Sequence, residues 1–241
     1  MATNEVQYID RYARNQMAIS KDEQDLLAKK RVAVCGCGGI GGYVVEMLAR
    51  IGVGTLVLID CDAFEITNLN RQLLSNAGTI RCRKVQIAAQ RVATINPTVK
   101  TICYDKELGR DNARDLLEGC DIVVDALDSY QARIAVEKCC STLNIVLVHG
   151  AIGGWCAQVS TILPGSCAFA LIYPNGVNTG IEKTQGNPAF TPAFAASLEV
   201  TECIKVLTGK GEALYGKLLV ADLLHNTQRI VNLFPTDGDA K

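Results

Sequence analysis

The sequence has no apolar run near the roughly 20 residues that a bilayer-crossing helix needs. Its polar, charged start, Met1 to Asp25, has none of the hydrophobic stretch of a secretory signal. Both absences point to the cytoplasm. An excess of one charge is also missing: 24 Lys and Arg stand against 25 Asp and Glu, dispersed along the chain. There is thus no basic patch of the kind that neutralises nucleic-acid phosphates, and no nucleic-acid partner is expected. Cysteine is plentiful, 11 in all, yet no C-x-x-C occurs. The nearest approach, Cys35-x-Cys37, lies in a glycine turn where two thiols cannot converge on a tetrahedral zinc. Cys35, Cys120, Cys139 and Cys140 sit inside apolar runs as small buried hydrophobes, and the odd total suits a reducing compartment. No internal repeat is visible. With 49% hydrophobic and 20% charged residues, 241 residues are ordinary for one α/β domain with an appended segment.

Short apolar runs are present, and helical segments separate them. Arg31–Cys35 runs into glycines, Thr55–Ile59 ends at Asp60, Ile122–Val124 ends at Asp125, and Ile145–Val148 ends at His149. Between them, Gly42–Ile51, Arg83–Ile95, Ala113–Leu117 and Tyr130–Leu143 read as crossover helices, the second of them closed by Pro97. Strands that are apolar throughout are buried on both faces. The fold class expected is therefore α/β: a Rossmann-like, doubly wound, mostly parallel sheet with helices on both faces. After Gly150 the pattern changes. Gln158–Leu163 and Lys217–Leu224 read as strands of a C-terminal antiparallel extension, and a late helix from Thr191 to Thr208 packs Phe194, Leu198, Ile204, Leu207 and Cys203 into the core. The Gly-, Asn-, Thr- and Pro-rich stretch 164–192 reads as a long, mobile loop near the substrate. A single domain is expected, with N-terminal helices in 1–28, a nucleotide-binding core in 30–150 and the extension in 151–241.

Chemistry enters at Gly36-Cys37-Gly38-Gly39-Ile40-Gly41. A glycine turn between a strand and a helix presents backbone N–H groups and a positive dipole end to an anion, which suits nucleotide phosphates. Asp60, roughly 20 residues beyond and at the end of the next strand, stands where such folds bind a ribose. These features indicate a nucleotide without saying which, and an NAD-dependent oxidoreductase shares them.

The segment Ile59-Asp-Cys-Asp-Ala-Phe-Glu-Ile-Thr-Asn-Leu-Asn-Arg71-Gln72 continues into Arg83-Lys84-Val85 and Ile95-Asn96-Pro97. Together with Arg11-Tyr-Ala-Arg14-Asn, Val124-Asp-Ala-Leu-Asp128-Ser129 and Arg133, it resembles the ThiF/MoeB/HesA family, relatives of ubiquitin-activating enzymes, from about residue 8 to about 208. The resemblance implies an ATP-dependent adenylyltransferase that activates the C-terminal carboxylate of a small ubiquitin-like or sulfur-carrier protein ending in Gly-Gly, as in thiamin or molybdopterin synthesis. It further implies that Gly36, Gly38, Gly39 and Gly41 floor the phosphates and that Asp60 holds the ribose. Asn68, Arg71 and Lys84 would gather round the triphosphate, Asp128 would hold Mg²⁺, and Ser129 would lie near the adenine. Arg14 would act from the neighbouring subunit of a homodimer. The catalytic set implied is Arg14, Arg71, Lys84 and Asp128. An ionised carboxylate acceptor needs no general base, which agrees with the lack of a catalytic His.

The sequence departs from the family in its metal site. Where most members carry two C-x-x-C pairs for zinc, Cys167 is followed by Ala170 at the second position and the later pair is missing, so a zinc-less variant is expected. Asn175–Asn187 contains no cysteine, so sulfur transfer through that loop is not implied; Cys167 is left as a candidate thiol. Other readings stay open. A related branch activates a modified adenosine of tRNA, and a regulatory or scaffold protein would keep the ATP site without turnover. Taken singly, Arg71 and Lys84 read as solvated charges, Asp60 and Asp128 as caps, and Arg14 as a helix-surface residue. His149 ends a strand beside Gly150, where a place facing the site is open to it, but it reads first as a hydrogen-bonded structural histidine.

Overall fold

The computed structural model describes residues 11–174, 176 and 182–234. In chain order the elements are α1 (Lys21–Leu27), β1 (Arg31–Cys35), α2 (Gly39–Ile51), β2 (Thr55–Ile59), a 3₁₀ turn (Ile66–Asn68), α3 (Lys84–Ile95), β3 (Lys100–Tyr104), α4 (Ala113–Leu117) and β4 (Ile122–Asp125). There follow α5 (Tyr130–Leu143), β5 (Val146–Gly153), β6 (Cys156–Ile162), α6 (Ala168–Ile172), α7 (Glu182–Gln185), α8 (Phe190–Thr208), β7 (Lys217–Asp222) and β8 (Thr227–Asn232). Local chemistry sets the ends of these elements. Ser20 and Glu23 close a capping box over α1, and Ser129 caps α5 by accepting from the Ala132 N–H. Gly52, at φ 85°, ends α2 in the left-handed conformation.

The strands form one eight-stranded sheet in the order β3-β2-β1-β4-β5-β6-β7-β8. β1 to β5 are parallel, while β6, β7 and β8 add antiparallel. From β1 the chain winds outward through β2 to β3, then returns to the other side of β1 as β4. The boundary between β1 and β4 is therefore a topological switch point, and the crevice beyond its strand ends is where open α/β sheets bind ligands. The facing layer alternates along β1: Val32 and Val34 face α2, α3 and α8, while Ala33 and Cys35 face α4, α5 and α6. Each fully buried Val or Leu of these two layers contributes about 1.5–3 kcal/mol.

Some boundaries differ from expectation. The strand expected to stop at Val148 runs on as β5 and turns at Gly154 (φ 56°) into β6, so His149 lies within the sheet. The helix expected from Gly42 starts at Gly39, inside the glycine turn. The stretch expected as one long loop holds α6 and α7, where Phe169 is buried against the sheet. Asn175 and residues 177–181 of that stretch lie outside the described residues, as do 1–10 of the expected N-terminal helices and 235–241. Cys139 is half-buried, because its turn of α5 faces a surface groove. β3 and β8 lack an apolar signature; every residue of β8 is exposed, and its backbone ladder to β7 holds it at the sheet edge. No helix among the described residues is long and apolar enough to cross a membrane.

One buried charge stands out in the core. Glu199 of α8 is wholly buried, both carboxylate oxygens lack a hydrogen-bond partner, and a Cβ at Gly150 would overlap the carboxyl. Burial first, then the charge of Asp125, pushes this acid well above its ordinary 4.5. Its pKa is higher folded than unfolded, so its stabilising share is full below that ordinary value and is lost as pH rises through the folded one. Glu199→Gln should therefore melt above the parent protein at about pH 8, with the gap closing toward acid in calorimetric scans across pH.

Candidate active site

The glycine turn joins β1 to α2 at the switch point. Gly36 has φ +95°, and a Cβ there would stand 2.6 Å from the Ala126 carbonyl oxygen, so only glycine fits between the ends of β1 and β4. The Gly36 N–H donates to Ile59 O (2.8 Å) and the Ala126 N–H to Cys35 O (2.9 Å), which ties the turn to the ends of β2 and β4. A Cβ at Gly41 would overlap the Gly36 carbonyl, so the first turn of α2 abuts the strand it follows. The helix has neither a side-chain cap nor an acidic residue in its first turn, and Gly42 N–H is the one that bonds back to Gly38 O. The positive end of this 13-residue helix thus takes no anion from its own first turn.

Charged groups converge on this point. Asp60 takes the Cys37 N–H on one oxygen (2.7 Å) and the Asp62 N–H on the other (2.8 Å). Burial raises its carboxyl, while the Lys84 ammonium and these two N–H groups pull it back. Lys84 opens α3, is 6% exposed, and sets its Nζ 2.8 Å from Asp62 Oδ2. Asn68 is buried in the 3₁₀ turn, where its Oδ1 accepts the Glu65 N–H (3.0 Å). Three residues on, Arg71 donates from one nitrogen to Thr67 O (3.0 Å) and Asn70 Oδ1 (2.8 Å), with its Nε 4.0 Å from the Cβ position of Gly39. Across the switch point, Asp128 and Ser129 are exposed in the turn that follows β4. An uncapped helix end, two cations and two flanking carboxylates together suit a polyanion with hydroxyls to hold.

The ThiF family model matches residues 12–239. The chain belongs to the ThiF family. It is 32% identical to the SAMP-activating enzyme E1 of Haloferax volcanii over 91% of this chain and 83% of that protein. It is also 32% identical to the sulfur carrier protein adenylyltransferase of Thermus thermophilus, over 92% of this chain and 86% of that protein. Against the adenylyltransferase and sulfurtransferase MOCS3-1 of Zea mays the identity is again 32%, but the chain spans only 51% of that longer protein. Among solved structures, E. coli MccB with ATP superposes at a TM-score of 0.77 (22% identity, 95% of this chain and 72% of that one). The E. coli tRNA N6-threonylcarbamoyladenosine dehydratase TcdA in complex with ATP superposes at 0.73 (23% identity, 84% and 96%).

Of the residues expected from the ThiF resemblance, the fold brings Gly36, Gly38, Gly39, Gly41, Asp60, Asn68, Arg71 and Lys84 to one side of the switch point and Asp128 with Ser129 to the other. Arg14 is not among them. It is exposed beside Tyr12, whose hydroxyl accepts from Asn96 Nδ2 (2.7 Å) and packs against Gly52 at the far end of α2. That end lies about 20 Å from the glycine turn at 1.5 Å per residue. Cys167, the candidate thiol, is exposed at φ +52° before α6. Three contributors fall outside the expected set. Gln72 is buried with its Nε2 3.6 Å from the Cβ position of Gly38, Pro192 of α8 stands 3.6 Å from that of Gly39, and Asp62 holds the Lys84 ammonium. Gln72 adjoins Arg71 in the motif, a local signal; Pro192 arrives from more than a hundred residues away, and no local pattern announces it.

The two ends of this geometry separate in a stability test. Gly41→Ala should cost about 3 kcal/mol in urea denaturation, since its methyl has no room. Gly39→Ala meets only ordinary contacts at 3.6 Å or more, and its stability should stay within about 1 kcal/mol of the parent.

Proposed function

We propose that the protein adenylates the C-terminal carboxylate of a small ubiquitin-like carrier protein ending in Gly-Gly, with Mg·ATP as the nucleotide substrate. The observation that carries this reading is the uncapped N-terminus of α2 with Asp60, Arg71 and Lys84 around it, facing Asp128 across the switch point. The names of the Haloferax and Thermus relatives support it, and family membership favours ATP over the dehydrogenase reading.

The chemistry asks for electrostatics alone. A carboxylate oxygen bonds to the α-phosphorus, the bond from that phosphorus to the β-phosphate bridging oxygen breaks, and pyrophosphate leaves with the electron pair. No proton moves, because the acceptor is ionised at neutral pH. What must be met is negative charge on two partners and on the leaving group, and in this reading Arg71, Lys84 and the α2 dipole would meet it. Lys84 already rests on Asp62, whose side chain is 62% exposed, so its ammonium exchanges one anion for another. Asp60, with one N–H on each oxygen, keeps a lone pair on each for the ribose hydroxyls. Asp128 would hold Mg²⁺, an ion that one or two carboxylates suffice to bind beside substrate phosphates. When bound, Mg²⁺ supplies charge neutralisation at the phosphate oxygens. Ser129 lies near the adenine in this reading, although its hydroxyl also caps α5. Arg14, remote from its own turn, would serve the site of a second copy, which makes the proposed assembly a homodimer. The zinc-less reading is kept, since Cys167 has Ala170 where a paired cysteine would stand.

Pyrophosphate exchange into ATP, measured with purified Gly-Gly-terminated carrier proteins, tests the proposal. Exchange is expected with at least one carrier. Lys84→Ala should lower it by about two orders of magnitude, or roughly 3 kcal/mol, the scale of losing one preorganised transition-state donor. Exchange with none of the carriers, or at the parental rate in Lys84→Ala, sinks the reading.

A further inference from the structure

Beneath the Asp128 turn lies a buried polar network that the adenylation chemistry above does not use. Asp125, the last residue of β4, is wholly buried. Its Oδ1 accepts the Leu127 N–H (3.0 Å), and the Arg133 guanidinium donates to the Leu127 carbonyl. Both backbone polar groups of the residue just before Asp128 are thereby held from below. The same turn presses on Gly36 through the Ala126 carbonyl, so its tilt sets the position of the glycine floor as well as that of Asp128.

Asp125 is itself fixed by His149. The imidazole is wholly buried, with Nδ1 2.8 Å from Asp125 Oδ2 and Nε2 3.1 Å from the Tyr173 hydroxyl. Arg133 Nη1 (2.9 Å) and Gln158 Nε2 (2.8 Å) both donate to that hydroxyl oxygen. With the Tyr173 hydroxyl on one side and the Gln158 amide nitrogen 3.5 Å away on the other, His149 Nε2 is placed to accept. This makes His149 the neutral Nδ1–H tautomer, donating to Asp125, and burial holds its pKa below the ordinary value in agreement. Phe169 of α6 stands edge-on to the imidazole, ring centroids 4.8 Å apart, and Tyr173 follows the same helix.

We propose that His149 is a positioning residue for the Asp128 turn: it orients Asp125 beneath Leu127 and, through Tyr173 and Phe169, fastens α6 to the same turn. This rests on the reading that Asp128 holds Mg²⁺ with the nucleotide. His149 touches none of the proposed nucleotide-binding side chains, so its influence passes through Asp125. Outer partners that orient a metal ligand typically change metal affinity by about 10–100-fold when removed. A merely structural histidine would lower stability and weaken all nucleotide binding alike.

Binding of a fluorescent ATP analogue to the full chain, titrated with Mg²⁺ and repeated in EDTA, separates the two, with melting of the nucleotide-free protein alongside. His149→Ala should raise the Mg²⁺ concentration for half-maximal binding about tenfold or more while leaving metal-free binding unchanged. His149→Asn, whose amide can donate to Asp125, should recover most of that loss. Tyr173→Phe keeps the ring packing, carries the test if His149→Ala does not fold, and should shift Mg²⁺ dependence in the same direction by less. Parental Mg²⁺ dependence in the folded variants, or equal loss with and without metal, overturns the proposal. A parent protein without Mg²⁺-dependent ATP binding overturns it together with the adenylation reading. Failed carrier exchange with Mg²⁺-dependent binding intact counts against that reading alone.

Discussion

The contact of Gly41 with the Gly36 carbonyl oxygen leaves no room for a side-chain atom, and the rest of the site depends on it. It brings the first turn of α2 down onto the end of β1, so that the uncapped N–H groups sit in the crevice between β1 and β4 and not above it. The fit of Gly36 beneath Ala126 makes the same demand from the other side. A methyl at Gly36 or Gly41 would push the helix away from the switch point and part the dipole from the charges that share its work. The parallel sheet, in turn, makes the crevice available, because the winding reverses at β1.

Around that point the electrostatics are balanced before any nucleotide arrives. Asp60 is pushed up by burial and pulled down by Lys84 and two N–H groups, while Lys84, buried along its stem, rests on the exposed Asp62. A buried ammonium without an anion would be costly, and Asp62 meets that need at a position open to solvent, where exchange for a phosphate is cheapest. Arg71 is held differently, by a backbone carbonyl and an amide oxygen. One cation thus rests on a carboxylate and the other on neutral oxygens.

Much of this is legible in the residues. Each of β1, β2 and β4 runs into a turn that carries a residue of the site, Gly36, Asp60 and Asp128 in order, because a parallel strand buried on both faces is readable as an unbroken apolar run and its chemistry collects beyond the C-terminal end. The stretch from Asp60 to Lys84 carries the carboxylate and both cations within one short length of chain, so their grouping is a local signal. What stays hidden has physical reasons. β8 is held by its backbone ladder and all its residues stay exposed, so no hydropathy signal marks it. β5 continues past His149 because the turn to β6 lies at Gly154, and Gly150 reads like a strand end although it makes room for Glu199. Pro192 and Tyr173 reach the site region through tertiary packing, which a local pattern does not carry.

The sheet also separates two kinds of buried acid. Asp125 and Glu199 lie close enough for the charge of one to raise the other, yet their surroundings differ. Asp125 has an N–H on one oxygen and an imidazole on the other, and both partners orient it where it orders the Asp128 turn. Glu199, on the α8 side behind Gly150, has no such donors and is driven toward the neutral form. Were both ionised, the repulsion would fall on the carboxylate that holds Leu127. With Glu199 driven toward the neutral form by burial, that repulsion is relieved, and Asp125 is left to its contacts with Leu127, His149 and Arg133 beneath the proposed metal site.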